Sequence, residues 1–342
     1  MLRFAAMTML RFGLIGAGVH GSRYLQHLAA DIPGARLGAL CRRDVEAGRR
    51  AAQQAGAEYF AGFTELIASG TVDAVCAVVP PDLHPEIAEV AGAAGLPLLI
   101  EKPLAVDLPG ARRILKAAAG SRGAIMVAHT LRYNRTILEV KRRIADLGPI
   151  HLLALNQRFE PSIATAGGAP RAWIDDRAGG GVILNTGIHE FDLLRFLSGG
   201  EARSVRCRSA MVRTRRTEDL FAAIVDLDPG PLLATVDSSR AVGGRSGRIE
   251  VAGEHGQILA DQERGELFLL TGRSAERVPT AAPVPTVRET LLDFARLVRA
   301  EIANPIPPLE GARAVAIACA CLDSAARDGA PVAVEAVENP GR

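Results

Sequence analysis

The sequence predicts an α/β protein of two domains: an N-terminal doubly wound parallel sheet and a C-terminal α+β domain with an open, mainly antiparallel sheet. Three observations support this prediction. The chain has 342 residues, enough for two units that each bury a core. Its first part alternates short apolar runs with segments of helical periodicity, as parallel sheets covered by helices do. After Gly148-Pro149, apolar residues instead tend to recur at every second position.

The first domain is expected over residues 9–128, where apolar runs predict strands and the segments between them predict helices. The predicted strands are residues 12–15, 36–41, 74–79, 98–100 and 124–127, and the predicted helices are residues 22–30, 45–55, 85–94 and 109–119. This repeat builds a Rossmann-type sheet, in which ligands bind beyond the carboxyl ends of the strands.

The second domain is expected over residues 129–342, and its last segment can pack back on the first domain. Two-residue alternation around residues 205–208 and 221–227 predicts strands with one face in water. Further strands are predicted at residues 150–159, 232–239, 248–251 and 267–270, and helices at residues 188–197, 287–300 and 311–327. Three prolines within residues 278–285 indicate a loop.

Composition argues against nucleic acid or a membrane as a partner. Basic residues number 40 and acidic residues 38, spread along the chain, so the formal charge is only +2. No apolar run approaches the roughly 18 uncharged residues of a spanning helix, and no convincing signal-peptide cleavage site follows the start. The five cysteines mostly occupy apolar contexts, as reduced thiols do, and no metal site is predicted. We therefore expect a cytoplasmic protein with a small-molecule ligand.

A glycine-rich turn, Gly16-x-Gly18-x-x-Gly21, follows the first predicted strand and opens a helix, which makes this otherwise weak motif informative. Gly16 allows the tight turn, Gly18 lets the backbone approach a pyrophosphate, and Gly21 lets helix and strand pack closely. Val19 and His20 fill the variable positions and are counted with the turn, although His20 can simply occupy a permitted position. The motif predicts a bound dinucleotide; a plain glycine turn is the alternative.

The end of the second predicted strand bears on which dinucleotide binds. An acidic residue about 20 residues after the glycine turn would bind the ribose hydroxyls of NAD. Here Arg42 and Arg43 occupy that place, and guanidinium groups bind a 2′-phosphate well. NADP(H) is therefore favoured over NAD(H). The alternative is that Asp44 serves the ribose while the arginines stack on adenine or face water.

Two further segments lie just past predicted strands, on the rim where a nicotinamide would lie. The first contains Pro80 and His84, and the second is Glu101-Lys102-Pro103. Lys102 can hydrogen-bond a substrate hydroxyl there and stabilise developing alkoxide charge. It is one of only three lysines in the chain, and arginine could not replace a tunable ammonium. A surface lysine in a turn is the alternative.

A glycine run at residues 179–181 precedes Asn185, His189 and Asp192. If a helix begins near Leu184, these three side chains share one face. A histidine in that setting is a natural proton acceptor near neutral pH. A structural histidine is the alternative.

The glycine turn, Glu101-Lys102-Pro103 and residues 179–192, in this order and spacing, resemble the Gfo/Idh/MocA oxidoreductase family. The likeness extends over nearly the whole chain. Supporting segments are Arg132-Tyr133-Asn134, Ala172-Trp173, residues 251–256 and residues 324–329.

The resemblance implies an enzyme that moves hydride between a nicotinamide and a hydroxyl-bearing carbon of a sugar, cyclitol or sugar derivative. By this resemblance Lys102 polarises the reacting oxygen, His189 exchanges its proton, and residue 185 orients the substrate. The family often has Asp where this chain has Asn185, so the role of that position is open. The resemblance also implies a cis Lys102-Pro103 bond and a homodimer or homotetramer formed through the open sheet.

Arg132 and Trp173 are further candidates for substrate contact, and Trp173 can equally be a core anchor. Two other functions remain open. One is a non-catalytic, dinucleotide-binding regulator of the same fold, against which the intact Lys102 and His189 argue. The other is a reductase of a non-sugar substrate such as a dihydrodiol or a tetrapyrrole, because fold does not fix chemistry.

Overall fold

Two separate sheets organise the chain. In the computed structural model, which describes residues 9–159, 180–230 and 232–340, one sheet has six strands and the other has nine. The first sheet is parallel throughout and the second is mainly antiparallel, so the predicted fold class is confirmed.

The first sheet has the strand order β3-β2-β1-β4-β5-β6. Its strands are β1 (Leu10–Ile15), β2 (Ala35–Cys41), β3 (Glu58–Phe60), β4 (Ala74–Ala77), β5 (Leu98–Glu101) and β6 (Ile125–Ala128). The order reverses between β1 and β4, which opens a crevice beyond their carboxyl ends. Strands β4, β5 and β6 are buried along their whole length, as strands covered on both faces must be.

Five helices cover the first sheet within the described part of its domain: α1 (Gly21–Ala30), α2 (Val45–Gln54), α3 (Phe63–Ala68), α4 (His84–Ala93) and α5 (Leu108–Gly120). Side-chain caps explain the starts of two of these helices. The Asp44 carboxylate accepts a hydrogen bond from Ala47 N at the start of α2, and Asp107 accepts one from Gly110 N at the start of α5.

The sequence reading missed β3 and α3, and it extended β4 too far. Strand β3 has three residues and helix α3 has six, too few to show a period. Strand β4 ends at Ala77, not at residue 79. Val78 and Val79 therefore belong to the loop at the crevice rather than to the strand.

The second sheet has the order β14-β13-β12-β11-β7-β10-β9-β8-β15. Its strands are β7 (Ile150–Arg158), β8 (Glu201–Ala210), β9 (Leu220–Asp228), β10 (Leu232–Ser239), β11 (Ser246–Gly253), β12 (Gly256–Asp261), β13 (Glu266–Thr271), β14 (Ser274–Arg277) and β15 (Val332–Ala333). Strands β7 and β10 run parallel, so their carboxyl ends meet at one edge. Ile224 and Leu233 are exposed on the open face.

The helices after the first domain are α6 (Arg135–Arg143), α7 (Val182–Asn185), α8 (Gly187–Ser198), α9 (Thr286–Val298) and α10 (Pro308–Ala326). The predicted helix 188–197 is present as α8, but the condition that one helix runs from near Leu184 through Asp192 is not met. Helix α7 stops at Asn185, Thr186 has φ −106° and ψ −52°, and α8 begins at Gly187. This break changes how Asn185 and His189 relate to each other.

The chain returns to the first sheet after the second. The ring of Phe294 in α9 lies 5.7 Å from that of Phe12 in β1, centroid to centroid. Val127 N donates to Ile306 O at 2.9 Å. Among the described residues, no helix is both long enough and apolar enough to cross a bilayer.

Candidate active site

The glycine turn connects β1 to α1 and leaves open space above its middle. Gly16 has φ +93°, and a Cβ there would lie 2.1 Å from Val78 O. A Cβ on Gly21 would lie 2.1 Å from Gly16 O, so both positions require glycine for close backbone approach. A Cβ on Gly18 would meet no described atom within 4 Å. The free space at Gly18 is therefore available to a ligand.

A cavity of about 810 Å³ lies beyond the carboxyl ends of β1, β2 and β4. Of the predicted cofactor residues, Gly16, Gly18, Arg42, Arg43 and Pro80 line it. Arg42 is half-buried and Arg43 exposed, and neither guanidinium forms a salt bridge with the described residues. Asp44 also lines the cavity, but one of its oxygens caps α2. The size and position of this cavity fit the adenosine half of a dinucleotide.

Glu101, the last residue of β5, joins the glycine turn to Lys102. Its Oε1 lies 2.7 Å from His20 Nε2 and accepts a hydrogen bond from Tyr24 Oη at 2.5 Å. Its Oε2 accepts a hydrogen bond from Lys102 N at 3.0 Å. Burial alone would raise the pKa of Glu101, but His20, Lys102 and Tyr24 lower it to about 2. The carboxylate is therefore ionised and fixes both segments.

His84 lies behind the predicted rim rather than on it. Its side chain is fully buried, and its Nδ1 lies 3.1 Å from both Pro103 O and Leu104 O. Burial lowers the pKa of the imidazole, which is therefore neutral at neutral pH. The predicted contact with cofactor stays a prediction. In this structure His84 contacts the turn that follows Lys102.

Lys102 reaches across to the second domain. Its bond to Pro103 is cis, as the resemblance implied, and its Nζ donates to the main-chain oxygen of Asn185 at 3.0 Å. In an unbroken helix that oxygen would accept from His189 N, but here His189 N donates to Thr186 O at 2.9 Å. The break between α7 and α8 therefore frees a carbonyl for the lysine. Burial lowers the pKa of the Lys102 ammonium, while the Glu101 carboxylate opposes that shift.

His189 lies in the first turn of α8 and is half-buried. Its Nδ1 is inaccessible to solvent and makes no hydrogen bond with the described residues. Burial lowers the pKa of His189 well below its usual value, and the positive charge of Lys102 lowers it further. The ring is neutral at pH 7 and can accept a proton.

Arg240, which the sequence reading missed, completes this cluster. Its Nη2 donates to Asn185 Oδ1 at 2.6 Å and its Nε donates to Thr186 Oγ1 at 2.8 Å. Arg240 directly follows the predicted strand 232–239, and this position could have marked it as a candidate site residue. The carboxyl end of that strand meets the end of β7. The parallel pairing itself could not be read from the sequence.

Buried polar atoms without partners lie under α8. The Oε1 atoms of Gln157 and Glu190 are inaccessible to solvent and accept no hydrogen bond from the described residues. Ser238 Oγ donates to the other carboxyl oxygen of Glu190 at 3.2 Å. Burial raises the pKa of Glu190 to about 8, so this carboxyl group is largely protonated at neutral pH.

Arg132 belongs to a buried ion-pair network, and its predicted contact with substrate stays a prediction. Its guanidinium donates to both Asp192 oxygens, at 2.6 and 2.9 Å, and to Glu310 Oε2 at 2.7 Å. Asp192 therefore serves this network rather than His189. With both carboxylates bound, the guanidinium is positioned to hold α8 to α10. The other predicted contact, Trp173, lies outside the described residues.

Both parts of the chain match sequence models of one oxidoreductase family. Residues 10–129 match the sequence model of an oxidoreductase family with an NAD-binding Rossmann fold, and residues 137–259 match the C-terminal domain of the same family, GFO/IDH/MocA. The chain belongs to the Gfo/Idh/MocA family. The resemblance inferred from the sequence motifs is thereby confirmed.

Several Gfo/Idh/MocA relatives are similar over most of their length. Inositol 2-dehydrogenase of Rhizobium meliloti is 28% identical over 79% of this chain and 81% of its own. Inositol 2-dehydrogenase 2 of Saccharopolyspora erythraea is 31% identical over 74% of this chain and 73% of its own. A solved structure of levoglucosan dehydrogenase with NADH and levoglucosan shares the fold, with TM-score 0.84, 21% identity, and coverage of 96% of this chain and 100% of that chain.

Proposed function

We propose that this Gfo/Idh/MocA chain is a nicotinamide-dependent dehydrogenase that transfers hydride between the nicotinamide and a hydroxyl-bearing carbon of a sugar or cyclitol. The observation that carries the proposal is the position of Lys102 Nζ, 3.0 Å from the main-chain oxygen of Asn185, four residues before His189. Lys102 follows β5 at the rim of the first sheet, where such sheets hold dinucleotides. The names of the two inositol dehydrogenase relatives support the substrate class.

The two side chains divide the proton chemistry. The Lys102 ammonium hydrogen-bonds the reacting oxygen and stabilises the negative charge that develops on it. Neutral His189 accepts the hydroxyl proton during oxidation and returns it during reduction. When bound, the nicotinamide supplies or accepts the hydride. Asn185 orients the substrate beside these two groups.

A polyhydroxylated substrate also fits the partnerless polar atoms under α8. Gln157 Oε1 and Glu190 Oε1 have no hydrogen-bond partner among the described residues. Leaving such atoms unpaired costs free energy, and substrate hydroxyls or water, which both donate and accept, supply the missing partners.

The decisive test measures NADP⁺ and NAD⁺ reduction across a panel of sugars and polyols. Lys102→Met and His189→Ala should each lower kcat/KM by about 100-fold or more, because general acid–base groups contribute at least that much. Lys116→Met, on the exposed face of α5, and His27→Ala, on α1, are matched controls that should keep activity. Undiminished turnover in both site variants would contradict the proposed roles. Tight cofactor binding without turnover of any substrate would favour the regulatory alternative.

The cofactor is proposed to be NADP(H) in preference to NAD(H). Support comes from Arg42 and Arg43, which line the cavity and form no salt bridge with the described residues, and from the use of an Asp44 oxygen as a helix cap. Arg42→Ala and Arg43→Ala should each lower the NADP⁺-to-NAD⁺ ratio of kcat/KM by about 10-fold, the usual effect of losing a charged hydrogen bond. Arg50→Ala, on the exposed side of α2, is the control. An unchanged ratio in both variants, or a wild-type preference for NAD⁺, would contradict the proposal.

A homodimer or homotetramer is proposed through the open face of the second sheet. Ile224, Leu233 and Leu259 are exposed on strands of this sheet and would be covered by a second copy. Light scattering coupled to size-exclusion chromatography tests the proposal. Leu233→Glu should then release monomers, whereas a monomeric wild type would exclude the interface.

A further inference from the structure

Arg240 is a half-buried cation to which the proposed reaction gives no role. Its guanidinium donates to Asn185 Oδ1 at 2.6 Å and to Thr186 Oγ1 at 2.8 Å, and both acceptors are neutral. The third nitrogen, Nη1, makes no hydrogen bond with the described residues, and the side chain keeps part of its surface exposed to solvent. One face of the guanidinium is therefore open to a ligand.

Two other arginines that are largely buried have their charges matched. Arg132 contacts Asp192 and Glu310 at 2.6 and 2.7 Å, and Arg195 contacts Glu201 at 2.7 Å. Arg240 forms no salt bridge with any described residue. A cation that loses part of its hydration without gaining a counter-charge is costly, so its presence in a candidate active site indicates an anionic ligand.

Three acidic residues, Glu190, Glu218 and Asp219, raise the pKa of Arg240, but none of them forms a salt bridge with it. Glu190 is largely protonated, since burial raises its pKa to about 8. Glu218 accepts a hydrogen bond from Ile183 N, and burial raises its pKa as well. Asp219 is ionised but accepts hydrogen bonds from three main-chain amides of residues 212–214. Arg240 itself stays charged at pH 7, because burial lowers its pKa only to about 10.

A second cation lies against the same residue. Asn185 accepts a hydrogen bond from Lys102 Nζ on its main-chain oxygen, at 3.0 Å, and one from Arg240 Nη2 on its side-chain oxygen, at 2.6 Å. A substrate next to Asn185 therefore meets two positive charges. Lys102 serves the reacting oxygen, which leaves Arg240 for another group of the same substrate.

The identity of residue 185 decides whether Arg240 is available. An aspartate, which the family often has here, would place a carboxylate oxygen where Asn185 Oδ1 now lies, 2.6 Å from Nη2. The resulting salt bridge would cancel the charge of Arg240. Asparagine keeps the hydrogen bond and leaves the charge for the substrate.

We propose that the substrate of this site is an acidic sugar, of the uronate or aldonate type, whose carboxylate binds Arg240 while its hydroxyl lies at Lys102. This inference rests on the proposed function and adds the substrate class. A carboxylate fits better than a phosphate, because Nε and Nη2 are already engaged and one open guanidinium nitrogen offers few donors.

The test compares sugars that differ in charge at one carbon: D-glucose with D-glucuronate, D-galactose with D-galacturonate, and D-glucose 6-phosphate as a third arm. The wild type should show kcat/KM at least about 10-fold higher for one uronate than for its neutral partner, the effect of one charged hydrogen bond. The proposal is overturned if kcat/KM is equal for neutral sugars and uronates, or if it is highest for D-glucose 6-phosphate.

Three variants assign the preference to Arg240. Arg240→Gln should lower the uronate-to-neutral ratio by about 10-fold, and Asn185→Asp should do the same by pairing with the guanidinium. Arg245→Gln is the matched control, because Arg245 pairs with Glu263 at the surface and should leave the ratio unchanged. A ratio that survives both site variants overturns the assignment. Should Arg240→Gln fail to fold, the isosteric Asn185→Asp still decides the question.

A binding measurement separates this inference from the proposed function. Turnover of neutral sugars but not of uronates leaves the dehydrogenase intact and overturns the acidic substrate. If neither neutral sugars nor uronates are turned over, the proposed function is overturned for this panel. In that case the thermal melting of the NADP⁺-bound protein decides: stabilisation by uronates in the wild type, absent in Asn185→Asp, supports the carboxylate site, and no stabilisation overturns it.

Discussion

The imidazole Nε2 of His20 lies 2.7 Å from Oε1 of Glu101. One residue belongs to the glycine turn and the other ends β5, immediately before Lys102. The same carboxylate binds Tyr24 of α1 and the main-chain amide of Lys102. The turn that would hold a pyrophosphate and the lysine that would hold the substrate are thus fixed by one ionised side chain.

Removing His20 should therefore weaken cofactor binding. The His20 side chain is 46% exposed, so its hydrogen bond to Glu101 contributes only about 1 kcal/mol, and His20→Ala should raise the Kd of the dinucleotide about fivefold. Fluorescence titration with NADPH and NADH measures this change. His27→Ala, in the helix α1 that follows His20, should bind like the wild type; an equal loss in both variants would contradict a specific role of the His20–Glu101 contact.

Alanine at two glycines of the turn should separate folding from binding. Gly18→Ala meets no described atom within 4 Å, so its melting temperature should match the wild type while dinucleotide affinity falls about 10-fold or more, because the methyl group enters ligand space. Gly16→Ala should lose about 2 kcal/mol of stability or more, from its φ of +93° and the contact with Val78 O. Calorimetry of the apo proteins, paired with cofactor titration, distinguishes the two. Normal cofactor affinity in Gly18→Ala would contradict the placement of the pyrophosphate.

The pH dependence of oxidation should reflect His189. Burial, together with the charges of Lys102, His129 and Arg240, lowers the pKa of His189 well below 6.5. Because the base must be neutral to accept a proton, kcat/KM should stay level as pH falls to 6.5 and decline only at lower pH. Arg240→Gln removes one of these charges and should move the decline towards higher pH. A wild-type decline centred at or above pH 6.5, with the fold intact by circular dichroism, would contradict the assignment.

Glu190 should make stability fall as pH rises. Its folded pKa of about 8 lies above the ordinary value of 4.5, so its contribution is complete below about pH 4.5 and is lost as pH approaches 8. The glutamine of Glu190→Gln does not titrate. The free energy of unfolding of this variant, relative to that of the wild type, should therefore be larger at pH 8 than at pH 5. Urea unfolding at both pH values measures the difference. Glu46→Gln, on the exposed face of α2, should follow the wild type; parallel curves for wild type and Glu190→Gln would refute the prediction.

Features that depend on neighbouring residues in the chain could be predicted from the sequence. The glycine turn, the long helices and the buried strands β4 to β6 each carry a local signal of periodicity or special backbone geometry. Strand β14 was missed because all four of its residues are exposed and show no apolar alternation. The break at Thr186 falls on Asn185, Thr186 and Gly187, which are weak helix formers, so its local signal was present but lay inside the recognised motif.

The candidate site could be predicted only in part, for a related reason. Lys102 and His189 stand in recognisable motifs, whereas Arg240 reaches Asn185 across 55 residues through the parallel pairing of β7 and β10. The environments of His84 and Arg132 depend on burial and on distant carbonyl and carboxylate groups. Residue type and spacing carry no information on such partners.

The main-chain hydrogen bond from Lys102 to Asn185 has a consequence for how such a protein can change its specificity. The lysine is held by an atom that every amino acid possesses, so replacing the side chain at position 185 does not release it. Through Arg240, that side chain sets the charge of the neighbouring pocket. In the proposed reaction, one position thus serves catalysis through its backbone and substrate choice through its side chain, and a single codon can alter the second without disturbing the first.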